Sequence, residues 1–147
     1  MTDTIYSGYL RTPHYYETDQ MGIVHHSNYI RWFEEARVQL LDFLNCSYKE
    51  IEDAGIIIPV LDVSCQYKGM IRFGDEIRID IAIHSYTGTR LTFGYTIYPV
   101  DGDTILTTGT SSHCFLSAET QRLIRLKKTH PQIHQIFEDY YAQTKLK

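Results

Sequence analysis

The residues best equipped for chemistry sit together in one stretch, Glu17-Thr18-Asp19-Gln20-Met21-Gly22-Ile23-Val24-His25-His26-Ser27-Asn28-Tyr29. Acids, a glycine, two imidazoles and an amide gather here, just ahead of a helical pattern. A carboxylate such as Asp19 can attack a carbonyl carbon or deprotonate a water that does so. The first turn of a helix leaves backbone N–H groups free, and such groups can polarise a carbonyl oxygen during that attack. The stretch therefore suits acyl transfer to water.

Plainer readings stand beside this one. Asp19 also suits an ordinary turn, because aspartate binds nearby backbone N–H groups, and Glu17 is the rival carboxylate. A metal site at His25 and His26 has little support. Adjacent residues in an extended loop point apart, H-E-x-x-H is absent and no cysteine pair stands nearby. His26 better suits a hydrogen bond that positions the loop or substrate, and His25 the shaping of a pocket through its ring and backbone. A serine nucleophile elbow, G-x-S-x-G, is missing. His113 and Cys114 are successive strand residues that face opposite sides of a sheet, which argues against a dyad. Neither glycine-rich phosphate loop is present, and the sequence calls for no cofactor and no metal.

The elements that must carry this loop are legible from hydrophobic period. A short strand is expected around Tyr6 to Thr12, halted by Pro13. From Asn28 to about Cys46, Tyr29, Trp32, Phe33, Ala36, Leu40, Phe43 and Leu44 recur at helical spacing, with Ser27 or Asn28 as N-cap and Asn45 suited to the C-terminal turn. Ile30 and Leu41 widen the stripe, so this helix is expected to be buried on more than one side. A helical turn over Tyr48 to Ala54 ends at Gly55.

The period then changes to two. Leu61, Val63, Cys65 and Tyr67 alternate with polar residues, then Ile77, Ile79, Ile81 and Ile83, then Leu91, Phe93, Tyr95 and Ile97, with turns at Thr87-Gly88-Thr89 and Asp101-Gly102. A last strand is expected from about Thr104 to Leu116. Consecutive strands joined by short turns should be antiparallel neighbours. Ile133, Ile136, Phe137, Tyr140 and Tyr141 mark a terminal amphipathic helix, docked on the domain or on a partner subunit. The expected α+β fold is an antiparallel five-stranded sheet curling around one long helix, in one domain over residues 1–147.

At these residues the sequence resembles the 4-hydroxybenzoyl-CoA thioesterase family of hotdog-fold proteins, especially its Tol-Pal-associated acyl-CoA thioesterase branch. The shared pattern is threonine-aspartate, two residues, glycine, two aliphatics, an aromatic or histidine, then an asparagine- or serine-tyrosine helix start. It stands here as Thr18 to Tyr29, followed by Arg31-Trp32-Phe33-Glu34 and Ala36-Arg37, with a second stretch at Tyr67-Lys68 and Arg72-Phe73-Gly74-Asp75-Glu76. The resemblance covers roughly residues 7 to 118. It implies a hotdog fold and a thioesterase with Asp19 as its catalytic carboxylate, as nucleophile or as general base, and His26 beside it. Gly22, His25, Asn28 and Tyr29 would shape the oxyanion and substrate pocket. Lys68, Arg72 and Arg90, with Lys127 and Lys128 behind them, are the candidates for coenzyme A phosphates. Active sites of this fold lie at dimer interfaces, so a homodimer or homotetramer is expected.

Composition sets outer limits. The 147 residues carry a net charge of -4 with scattered basic residues, which argues against a nucleic-acid partner. No apolar run of roughly 18 residues is present to span a bilayer, and the N-terminus shows no secretory pattern, so the cytoplasm is expected. Cys46, Cys65 and Cys114 fit small core residues in a reduced compartment. Two other functions share the leading sequence features: a hotdog dehydratase or hydratase using His25 or His26, and a non-catalytic acyl-CoA binder.

Overall fold

The computed structural model describes residues 5–145. Its first strand, β1 (Tyr9–Arg11), is followed by a single 3-10 turn at Tyr15–Glu17 and then by α1 (Ser27–Phe43). Next come α2 (Tyr48–Asp53), β2 (Ile56–Ile57), β3 (Val60–Tyr67), β4 (Ile77–Tyr86), β5 (Arg90–Pro99), β6 (Thr107–Cys114) and β7 (Leu116–Ser117). The chain closes with α3 (Leu126–Thr129) and α4 (Pro131–Thr144). Among the described residues, no helix is long and apolar enough to cross a membrane.

Five strands form one antiparallel sheet in the order β1-β4-β5-β6-β3, and β2 pairs separately with β7. The expected five-stranded α+β architecture is present, with two corrections to its detail. β3 pairs with β6 and not with its sequence neighbour β4, because the connection from Lys68 to Glu76 is long enough to carry the chain across the sheet. The last strand begins at Thr107, not Thr104: the Leu106 carbonyl accepts the Lys68 and Gly69 amides at 2.9 Å each, which turns that segment toward β3. β6 also stops at Cys114, and Leu116 belongs to the separate pair with β2.

Alternation explains which face is covered. Ile77, Ile79, Ile81 and Ile83 of β4 and Leu91, Phe93, Tyr95 and Ile97 of β5 are all buried, while Arg78, Asp80 and His84 stand on the other face. Trp32, Phe33, Ala36 and Leu40 of α1 are fully buried in the same core. Phe33 stacks on Tyr95 with ring centroids 4.2 Å apart. It can lie this close because β6 offers Gly109, where a Cβ would stand 2.5 Å from the Phe33 ring. Burying such a ring contributes roughly 1.5–3 kcal/mol, so a side chain at Gly109 would unseat the helix.

The ends of α1 differ from the sequence expectation at one terminus. Asn45 (φ 58) ends the helix as expected, with Cys46 N–H donating to Leu41 O and Asn45 N–H to Asp42 O, the Schellman pattern. At the start, neither Ser27 nor Asn28 is the N-cap. His26 flanks the helix without a side-chain cap, and Ser27 N–H donates to the His25 ring instead. Asn28 is buried and its side chain is spent on the loop described below.

At the far side of the sheet α4 packs along β4, beyond the short β1. Tyr140 Oη donates to Ile81 O at 3.1 Å, and Thr144 Oγ1 accepts from Ile83 N at 3.1 Å. Strand β3 forms the opposite edge, with Val60, Leu61 and Tyr67 exposed.

Candidate active site

The loop before α1 folds back on itself as a small hairpin. Asp19 N–H donates to Ile23 O at 2.9 Å, Gly22 N–H to Asp19 O at 3.0 Å, and His25 N–H to Glu17 O at 2.8 Å. Gly22 sits at its apex with φ 77, a left-handed conformation that favours glycine. The returning limb is tied to the chain after β3 by Val24 N–H donating to Ile71 O at 2.7 Å. Asn28 fixes the base of the hairpin by donating to Glu17 O at 2.9 Å and His25 O at 3.2 Å.

A cavity of about 340 Å³ opens beside this hairpin, lined by Asp19, Met21, Ile23, Val24, His26, Tyr29, Tyr67, Lys68, Gly69 and Met70. Asp19, His26, Tyr29 and Lys68, all anticipated from sequence, thus line one cavity. Asp19 Oδ1 accepts the Met21 N–H at 2.8 Å, so the ordinary turn role is real. Among the described residues, Oδ2 has no protein partner. The first-turn amides are mostly claimed: Ser27 by the His25 ring, Asn28 by His25 O, and Tyr29 by His26 O. The His26 amide donates to none of the described groups, and His26 lines the cavity.

Around it the rings are packed edge to face. Tyr29 and Tyr67 meet at 4.9 Å, His26 and Tyr67 at 6.5 Å, and Tyr67 Oη donates to His26 O at 3.3 Å. Burial pushes the Tyr29 phenol up to about 12, which keeps it neutral in the working range. Its hydroxyl is a hydrogen-bonding group and no base.

The remaining anticipated residues do not line the cavity. Gly22 only makes the turn. His25 is exposed, stacked on His26 at 4.1 Å, with its Nδ1 paired to Ser27 Oγ at 2.8 Å. Arg72 is adjacent, bridged to Ile23, with its guanidinium against Met70 Sδ at 3.7 Å. Arg90 pairs with Cys114, whereas Tyr67 pairs with Thr107 at the other end of β6, a separation of about 23 Å at ~3.3 Å per residue. Within one protomer Arg90 does not join the cavity. Tyr67, Met21 and Met70 were not singled out as pocket residues; the one sequence signal for Tyr67 was its place beside Lys68 in the second family-like stretch.

Glu17, the rival carboxylate, is only 3% exposed and fully engaged. Oε1 accepts from Arg11 Nη1 at 2.9 Å and His14 N at 2.7 Å, and Oε2 from Arg11 Nη2 at 2.9 Å and Trp32 Nε1 at 3.0 Å. Burial alone would push this carboxyl up, but the His14 amide, the Trp32 indole and the Arg11 guanidinium together hold it below the usual range. With four donors on two oxygens it is poorly placed to attack or to take a proton. A larger groove of about 460 Å³ runs over the outer sheet face by Asp80, His84 and Lys145, away from the loop.

Comparison with known proteins identifies the family and the fold. Residues 13–136 match the family model described as the Thioesterase-like superfamily. The chain is 36% identical over 124 residues to "Putative acyl-CoA thioesterase YneP" of Bacillus subtilis (strain 168), covering 84% of this chain and 89% of that one. It is 27% identical to the 1,4-dihydroxy-2-naphthoyl-CoA hydrolase of Thermosynechococcus vestitus, covering 84% and 85%. A solved structure of a DHNA-CoA thioesterase from Staphylococcus aureus superposes with a TM-score of 0.84 at 31% identity, covering 91% of this chain and 89% of that chain. The chain belongs to the Thioesterase-like superfamily, with the hotdog fold of its thioesterase neighbours.

Proposed function

We propose that this protein hydrolyses an acyl- or aroyl-CoA to a carboxylic acid and free coenzyme A, with Asp19 as its catalytic carboxylate. One observation carries the proposal: Asp19, with an unclaimed carboxylate oxygen, His26, with an unclaimed backbone amide, and Lys68 line the same cavity. The His26 N–H would receive the thioester oxygen as negative charge develops there. Asp19 Oδ2 would then attack the carbonyl carbon, expelling the thiolate and leaving a mixed anhydride for water to open. Alternatively it deprotonates a water that attacks directly. Both routes consume one water and release one acid and one thiol.

Lys68, which lines the cavity, and Arg72 beside it offer charge for the coenzyme A phosphates. Arg90 would serve a site only when carried there by a neighbouring subunit. The rings of Tyr29, Tyr67 and His26 suit a flat acyl group through edge-to-face contact, which fits the 1,4-dihydroxy-2-naphthoyl-CoA named for one relative. Placement in the Tol-Pal-associated branch, and in the cytoplasm, rests on sequence grounds alone. The exposed β3 edge supports a homodimer as the working unit, or a dimer of such dimers, since an unpaired edge strand invites pairing with a second copy.

The test is release of thiol from a panel of acyl- and aroyl-CoAs, followed with a thiol-reactive dye. A dehydratase or a binder would release none. Asp19→Asn preserves shape and removes charge, and kcat should fall on the order of 10²-fold or more. A folded variant with near-normal release would overturn the assignment.

A further inference from the structure

Five hydrogen bonds from one guanidinium tie the loop to α1. Arg11, on β1, donates from Nε to Glu35 Oε1 at 2.8 Å and from Nη1 to Thr12 O at 2.8 Å and Glu17 Oε1 at 2.9 Å. From Nη2 it reaches Glu17 Oε2 at 2.9 Å and Glu35 Oε2 at 3.3 Å. The guanidinium also lies 5.3 Å from the Trp32 ring centroid, and its side chain is only 8% exposed. Glu35 and Trp32 both belong to α1. A lysine supplies neither the fork nor the five donors.

Glu17 grips in two directions at once. Its carboxylate is locked to β1 and α1 through Arg11 and Trp32, and its carbonyl holds both His25 N–H and the Asn28 side chain. Asp19 lies two residues beyond Glu17 on the outgoing limb, and His26 one residue beyond His25 on the returning limb. The Glu17–His25 hydrogen bond is therefore the rung nearest His26 and, with the Asp19–Ile23 rung, sets the spacing between the Asp19 carboxylate and the His26 amide. Misplacing reacting groups by about 1 Å can cost on the order of 10²-fold in rate.

We propose that Arg11 and Glu17 are positioning residues for the reaction, an ion-paired clamp that fixes the hairpin so that Asp19 and the His26 amide address the same carbonyl. The clamp touches no substrate and acts through Asp19, so the proposal rests on the assignment of Asp19 above. Its removal lowers kcat and leaves KM nearly alone, because the cavity wall from β3 and its following loop is not part of it.

The decisive measurement is a double-mutant cycle on the full-length protein, with activity normalised to the folded fraction from circular dichroism. Glu17→Gln alone should lower kcat about tenfold or more with KM within about twofold. In the Asp19→Asn background the same change should alter the residual rate by less than about twofold, since no carboxylate remains to be aligned with the His26 amide. Arg11→Lys should behave likewise and carries the test if Glu17→Gln does not fold. Multiplicative effects of the two changes, or a folded Glu17→Gln enzyme with normal kcat, overturn the clamp. So does failure of both variants to fold, which would make the pair a requirement of the fold. A normal rate in Asp19→Asn alone strikes instead at the catalytic assignment.

Discussion

Acid should loosen this protein through His113 well before its carboxylates protonate. His113, on β6, is fully buried and pairs its Nε2 with Ser111 Oγ at 2.8 Å. Ser111 meets the Tyr95 hydroxyl, which accepts from Arg37 Nη1 of α1 at 3.0 Å. No carboxylate joins this network among the described hydrogen bonds. Burial, and then the nearby Arg37 cation, push the imidazole from 6.5 down to about 4. An unfolded chain therefore takes the proton first as pH falls. Stability is full above about pH 6.5 and is lost progressively down to about pH 4. At ~1.36 kcal/mol per pH unit the whole loss is about 3 kcal/mol, of which about 2 kcal/mol falls between pH 7 and pH 5. Against a typical total of roughly 5–15 kcal/mol that is large. Urea unfolding followed by circular dichroism at both pH values measures it, with His113→Gln as the non-titrating comparison. The variant should be less stable at pH 7 but should lose about 2 kcal/mol less on acidification. Equal losses in the two proteins would refute the linkage to His113.

Two further outcomes concern binding and assembly. Lys68→Ala and Arg72→Ala should each raise KM more than they lower kcat, by an amount that shrinks as salt rises; unchanged KM at low ionic strength removes them from the binding site. An equal rise for Arg90→Ala would show that a neighbouring subunit carries that residue to the cavity. Light scattering at micromolar concentration should return at least a dimer, and a stable monomer would count against pairing at β3.

What could be read from sequence followed the reach of each signal. Helix α1 and the isoleucine row of β4 were legible because their periods of 3.6 and 2 are local properties. The hairpin around Asp19 was legible because its chemistry lies within one short stretch. Pairing of β3 with β6 was not, since Ser64 and Thr110 meet across 46 residues and nothing local encodes that choice. The start of β6 was misplaced because Leu106 is recruited by the amides of Lys68 and Gly69, a contact made only once the sheet exists. Arg11 escaped notice for a similar reason. It is a single cation on a three-residue strand, and its importance lies in four partners that folding gathers from Thr12, Glu17, Trp32 and Glu35.

The helix laid along β4 bears on how large an assembly can grow. A sheet with two bare edges has a bonding valence of two, and strand addition at both can run on into a fibre. Here Tyr140 and Thr144 occupy Ile81 and Ile83 on one side, and β1 offers only three residues beyond them. The valence falls to one. Any copy that adds at β3 turns its own blunted side outward, so the same helix that finishes the fold of one chain stops strand addition at the pair, and a dimer of dimers would have to form through other faces.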